Sequence, residues 1–349
     1  VARGRAAQDN RRAMKYRRLG QSDLELPAIV FGAWAIGGWN WGGSDDAAAV
    51  RAIQAAIDAG SNAIDTAPVY GFGHSEEVVG RAIAGRRDEV LLLTKVGLRW
   101  DDPRGTFYFK TADQRGVPRE IWRNGKPDSI AGEVEQSLRR LRTDRIDLLQ
   151  VHWHDPSTPL GETMGVLVRL VQQGKARAIG VSNFTPGLMR EARLALGDIP
   201  LASDQPKYSL VAREVESDVL PWCRERDIGV LVYSPLEQGL LTGKVHAQRA
   251  FARDDGRNKR ATFTPENRKR VNALLERYVE PVAGRHQATI AQVVLAWTIA
   301  QPGVTSAIAG ARTADQAREN AGAGALELAG DELFEIGRAF AGLELSGSR

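Results

Sequence analysis

Arg145-Ile146-Asp147-Leu148-Leu149-Gln150-Val151-His152 is a short aliphatic run that ends in polar residues, and it reads as a β-strand. An amphipathic stretch over 161–173 reads as a helix, and Ala176-Arg177-Ala178-Ile179-Gly180-Val181-Ser182 as a second strand. Strand, helix and strand in that order form the unit from which parallel sheets are built. Working outward, the pattern repeats in both directions. Before it come strands over 28–34, 62–66 and 89–96, with helices over 45–59, 75–84 and 129–141. Gly60 is a good stop for the first of these helices. After it come helix 185–196, strand 201–205, helix 214–227, strand 229–234, helices 267–285 and 289–301, strand 304–309, and helices 313–323 and 331–341.

Eight strands, nearly all separated by helices, predict an α/β chain closed into a (β/α)8 TIM barrel. The alternative is an open doubly wound sheet. Against it, no G-x-G-x-x-G follows the first strand; Gly37-Gly38-Trp39-Asn40-Trp41-Gly42-Gly43 lacks that spacing. No compositional linker divides the chain, so residues 14–349 read as a single barrel domain and residues 1–13 as a flexible N-terminal extension. Two connections are long: 97–128 after strand three, with room for a small hairpin, and 240–265 after strand seven, rich in Arg and Lys. In a barrel both lie on the face that carries the active site.

Composition narrows the classes. With 43% hydrophobic and 26% charged residues over 349 positions, the chain can bury a large core and is not disordered. A single cysteine, Cys223, excludes an internal disulfide and any multi-thiolate metal site. No apolar run is long enough to span a membrane, and residues 1–13 lack the apolar core of a secretory signal. The net charge is +4, but four Arg against one Asp in residues 1–13 account for most of it, so nucleic-acid binding is not expected. A cytoplasmic setting and a monomer are the expectations.

The polar residues stand where strands end. Strand two runs into Asp65-Thr66-Ala67-Pro68-Val69-Tyr70-Gly71, strand three holds Thr94-Lys95, and strand four ends Gln150-Val151-His152-Trp153. Charges in barrel strands are costly unless partnered, and Asp65 and Lys95 lie on adjacent strands. A structural ion pair explains those two alone. With Tyr70 and His152 on the same face, a proton-transfer site explains all four. A free phenol has a pKa of about 10. A nearby ammonium favours the phenolate and is expected to lower that value. Asp65 would hold Lys95, His152 would orient a carbonyl or alkoxide oxygen, and Tyr70 would be the general acid or base.

These motifs, with Gly180-Val181-Ser182-Asn183-Phe184 and Gly310-Ala311-Arg312, resemble the aldo-keto reductases over nearly the whole chain. The stretches 34–39 and 70–76 resemble the bacterial branch that includes the general stress and inositol-operon reductases. The resemblance implies a barrel that binds a nicotinamide cofactor without a Rossmann fold, and a catalytic tetrad of Asp65, Tyr70, Lys95 and His152. It implies that Ser182, Asn183 and Gln205 hold the carboxamide and that Tyr233 stacks on the nicotinamide. Ser234, Leu236, Gly239, Leu241 and Lys244 would follow the pyrophosphate, and Gly310, Arg312, Gln316, Glu319 and Asn320 the adenosine end. Independently, Arg312 precedes a helix start, a good anion site. A ribose 2′-phosphate suits it, so NADP(H) is favoured, with NAD(H) possible. The expected activity is interconversion of an aldehyde, ketone or sugar with its alcohol by hydride transfer.

There are departures. His154 stands where the family commonly has Pro, and Glu237 and Gln238 occupy a turn usually built of small residues. Two other readings stay open: a nicotinamide-sensing regulatory subunit without catalysis, and a metal-dependent hydrolase using His152 and His154. Trp34, Trp39, Trp41, Trp100 and Trp153 are expected to wall the substrate, a small carbonyl or alcohol, with Trp122 on the same face.

Overall fold

The computed structural model describes residues 14–345. The expected extension over 1–13 lies outside the described residues. Eight strands close a barrel: β1 (Ile29–Gly32), β2 (Ala63–Asp65), β3 (Leu91–Val96), β4 (Ile146–Val151), β5 (Ala176–Ser182), β6 (Leu201–Gln205), β7 (Gly229–Tyr233) and β8 (Ser306–Gly310). Each is parallel to both neighbours, and β8 pairs with β1 to complete the ring. The stretch quoted first is therefore one repeat of a (β/α)8 barrel, as expected, and the doubly wound alternative is excluded by closure.

The helices are α1 (Asp46–Asp58), α2 (His74–Ala82), α3 (Pro127–Leu141), α4 (Leu160–Gln172), α5 (Pro186–Leu196), α6 (Val219–Arg224), α7 (Pro265–Leu274), α8 (Glu280–Arg285), α9 (Ile290–Ile299), α10 (Ala314–Gly322) and α11 (Gly330–Ala341). Their starts follow capping chemistry. The side chains of Asp45, Thr185, Thr289 and Thr313 each accept a backbone N–H of the first turn. Two expected helices are shorter or broken, and proline explains both. The helix expected over 214–227 resolves into a short 3-10 turn and α6, because Pro221 has no N–H to donate and fits only a first turn. The helix expected over 267–285 is split by a wide turn at Leu275–Val279, which accommodates Pro281 in α8.

A two-stranded hairpin, Tyr16–Arg18 with Glu25–Pro27, was not foreseen and closes the barrel's N-terminal end. Its Leu19, Leu24 and Leu26 pack against Val30, Ala63, Leu93, Leu148 and Leu231 inside the barrel. The hairpin foreseen after strand three exists: Thr106–Ala112 pairs with Pro118–Arg123, and Leu98–Arg99 adds a third strand. Its ring-bearing residues lean over the opposite, C-terminal mouth. There Phe109 stacks on Trp39 at 6.1 Å and Tyr108 meets Trp153 at 5.5 Å.

Candidate active site

Strand register sets the site. Lys95 pairs with Gln150, Gln150 with Gly180, and Ser182 with Gln205 around the ring. Two residues further in along the same strands are Leu93 and Leu148, so apolar and polar side chains form successive layers in one interior. Gly180 has to be glycine for this. A Cβ there would lie 2.4 Å from Ser203 Oγ and 3.1 Å from Gln150 Cγ. The gap lets two amides converge on one carboxylate. Gln205 donates to Asp65 Oδ2 at 2.8 Å and to Gln150 Oε1 at 3.2 Å.

Lys95 donates to Asp65 Oδ1 at 2.6 Å and to the Thr66 carbonyl at 3.0 Å. Both side chains are buried, 0% and 4% exposed, so neither charge has water to fall back on. The Lys95 Nζ lies 5.1 Å from the centre of the Tyr70 ring. Tyr70 meets His152 edge-on at 5.8 Å and Trp34 at 6.3 Å. Gly71, at φ 66°, turns the chain directly after Tyr70, and a Cβ there would lie 2.3 Å from the Gly37 carbonyl. This close approach locks the Tyr70 loop to the Trp-rich loop after β1.

The expectation that Lys95 lowers the Tyr70 pKa is corrected. Desolvation first and the Asp65 charge second raise it well above the ordinary value. Burial also outweighs Asp65 at Lys95, whose pKa is lowered. His152 is pushed well below the ordinary imidazole value, by burial and then by Lys95. At neutral pH the resting site thus holds a protonated phenol and a neutral imidazole.

All of this opens on a cavity of about 770 Å³ that runs from the aromatic wall past Tyr70 and His152 to Gly310–Asn320. A family model described as Aldo/keto reductase family matches residues 28–339. The chain belongs to the aldo/keto reductase family.

This aldo/keto reductase is 39% identical over 305 residues to the aldo-keto reductase YhdN of Bacillus subtilis, covering 87% of this chain and 86% of that one. It is 39% identical to an NADH-specific methylglyoxal reductase of Escherichia coli, covering 89% and 93%. Among solved structures, the glycerol dehydrogenase of Gluconobacter oxydans superposes with a TM-score of 0.81 at 38% identity, covering 93% and 95%. The bacterial branch is the right one, and the protein is an oxidoreductase acting between carbonyl and alcohol.

Most residues singled out in the sequence of this reductase line the one cavity: Asp65, Tyr70 and His152; Ser182, Asn183, Gln205, Tyr233, Ser234, Leu236, Gly239 and Lys244; Gly310, Arg312, Gln316, Glu319 and Asn320; Trp34, Trp39, Trp41 and Trp153. Lys95 stands behind the wall, fully buried. Four others lie outside the cavity lining. Leu241 is fully buried in the core. Trp100 packs edge-on against Phe72 at 5.7 Å and does not line the cavity. Trp122 meets Phe107 on the hairpin. His154 packs against Phe184 at 6.0 Å and does not line the cavity beside His152.

Sequence reading missed several neighbours. Arg257 pairs with Asp255 at 2.6 Å and lies over Trp41 at 5.2 Å. Glu237, noticed for its charge, is buried against Lys207 at 2.9 Å. Arg249 also lines the cavity. Arg249, Asp255 and Arg257 sit in the long basic loop after β7, where no periodicity tells which cation turns inward.

Proposed function

We propose that this reductase moves a hydride between NADP(H) and a small carbonyl or alcohol, with Tyr70 as the general acid in reduction and the base in oxidation. The observation that carries this reading is the convergence of Asp65, Tyr70, Lys95 and His152 at the mouth of the barrel, with a protonated phenol beside a buried ammonium. A bound dinucleotide would supply the hydride. The residues present fit such a group. Tyr233 donates to Asn183 Oδ1 at 2.9 Å, and Asn183 in turn donates to Ser182 Oγ at 2.9 Å, which fixes a ring face beside amide and hydroxyl groups. That chemistry suits a planar ring carrying a carboxamide. The other end of the cavity is lined by Lys244, Arg249, Arg257 and Arg312, which suits phosphates.

In reduction the substrate oxygen gains negative charge. Neutral His152 donates one N–H to it and fixes its position, and Tyr70 hands over its proton. The resulting phenolate is stabilised by Lys95, whose charge Asp65 holds in place. In oxidation the same groups act in reverse.

Tyr70→Phe removes one hydroxyl and keeps the ring. We expect turnover to fall by about 10²–10⁴-fold, while NADPH still quenches tryptophan fluorescence with near wild-type affinity. A Phe variant that turns over at wild-type rate would sink the assignment.

A further inference from the structure

Tyr70 and Lys95 come from different elements, so their alignment depends on what joins those elements. Tyr70 sits in the turn between β2 and α2, and Lys95 on β3. The turn is folded on itself. The Tyr70 N–H donates to the Ala67 carbonyl at 3.1 Å, the Gly73 N–H to that of Pro68 at 2.7 Å, and the Ser75 N–H to that of Tyr70 at 3.1 Å. The Ser75 hydroxyl donates to the Ala33 carbonyl at 2.8 Å and lies 2.9 Å from the Thr66 hydroxyl. Tyr70 is thus one piece with the first turn of α2.

The next residue, Glu76, fastens that piece to β3. Its Oε1 accepts the Thr94 hydroxyl at 2.7 Å, and its Oε2 accepts Arg140 Nε from α3 at 2.8 Å. Glu76 and Thr94 are both fully buried. Thr94 directly precedes Lys95, and alternation along the strand puts the two on opposite faces. Glu76 therefore grips the outer face of the strand at the point where Lys95 leaves the inner one. Gly73 makes room for the arginine: a Cβ there would lie 2.9 Å from Arg140 Cδ.

A buried ion pair of this kind is a weak source of stability, and apolar side chains of the same volume often serve as well. No step of hydride transfer touches Glu76 directly. Burial pushes its carboxyl up, while Arg140 and then Thr94 pull it back towards ionisation. At Lys95 burial works against the ammonium, and Asp65 and then Glu76 favour it. Tyr70 and, from β4, His152 complete the surroundings of Lys95, and Glu133 on α3 adds a further carboxyl near Glu76.

Resting on the hydride-transfer reading above, we propose that Glu76 is a positioning residue: through Thr94 it fixes the turn that carries Tyr70 against the strand that carries Lys95, and its carboxylate backs the Lys95 ammonium from outside the barrel as Asp65 does from inside. Phenol and ammonium are thereby held in one geometry. Lys95 stays charged at the pH where Tyr70 must give up its proton in oxidation.

The test uses the full chain and a panel of aldehydes and alcohols, methylglyoxal and glycerol among them. Rates are followed across pH, and NADPH is titrated by tryptophan fluorescence. Glu76→Gln keeps the shape and removes the charge. We expect kcat to fall by about tenfold or more with NADPH affinity near wild type. In oxidation, the alkaline fall in kcat should begin roughly half a pH unit or more lower, because Lys95 loses its proton sooner. Thr94→Val cuts the link and keeps the charge. It should lower kcat several-fold without moving the alkaline limb, and Thr94→Ser should restore the rate. Should the Gln variant not fold, Thr94→Val decides alone. An unmoved alkaline limb in Glu76→Gln, a wild-type kcat in Thr94→Val, or a loss of kcat matched by an equal loss of NADPH affinity overturns the proposal. A Tyr70→Phe variant with full turnover, or a wild type that turns over no member of the panel, defeats the hydride-transfer reading itself, and the positioning role with it.

Discussion

Leu93 and Lys95 are two residues apart on one strand, as are Leu148 and Gln150, and Ala63 and Asp65. All point into the same barrel, yet they belong to different chemistries. The inner member of each pair packs against the N-terminal hairpin in a wholly apolar layer. The outer member joins a network of buried charge and amide around Asp65. The apolar layer gains free energy from every methylene it excludes from water. The polar layer gains little net stability, because desolvation of Asp65 and Lys95 consumes much of their attraction. Two residues along the strand thus separate what holds the barrel closed from what makes it react.

Breaking the polar layer should have the largest effect, because it touches both properties. Lys95→Met leaves Asp65 buried without its cation. We expect a stability loss of about 3–5 kcal/mol and a turnover loss of about 10²-fold or more, read by denaturant unfolding and by steady-state kinetics. Adding Asp65→Asn to it should recover much of the stability and none of the turnover. Activity that returns with the double change would show that the pair is structural only.

Breaking the apolar layer should separate the two properties. Leu148 is fully buried, and Leu148→Ala is expected to cost about 2–5 kcal/mol with kcat and KM unchanged for the folded enzyme. A kinetic defect of the same size as the Lys95→Met one would mean the two layers are not independent.

A third effect lies outside both layers and is read by pH alone. Glu133 on α3 and Asp204 on β6 are buried carboxyls, each with one oxygen that has no hydrogen-bond partner, and burial pushes both up to about 8. Between the ordinary carboxylate range and pH 8 the folded state keeps these protons and the unfolded state has lost them. Stability from these groups therefore falls as pH rises through that window and levels off above it. Urea unfolding from pH 5 to 9 should show this slope, and Glu133→Gln should flatten part of it. An unchanged slope in the variant would remove Glu133 as its source.

The site was legible to the degree that backbone periodicity carried it. Asp65, Lys95 and His152 stand at strand ends, so alternation alone placed them on one face, and capping chemistry set Arg312 at a helix start. Gln150 and Gln205 were visible as residues, but their convergence on Asp65 depends on the ring register and on the gap at Gly180. Trp100, Trp122 and Leu241 share segments with true cavity residues, and nothing in their spacing says they turn away.

The amino-acid sequence by itself determined the eightfold repeat, the face that bears the chemistry and the family, because hydrophobic periodicity and strand-end polarity are local properties. Only the tertiary structure decided the protonation of the site. The same Asp65 and Lys95 lie within reach of Tyr70 in either account, and a neighbouring cation alone would lower the phenol's pKa. Enclosure in the barrel mouth raises it instead, because desolvation depends on everything packed around a group and not on any one neighbour.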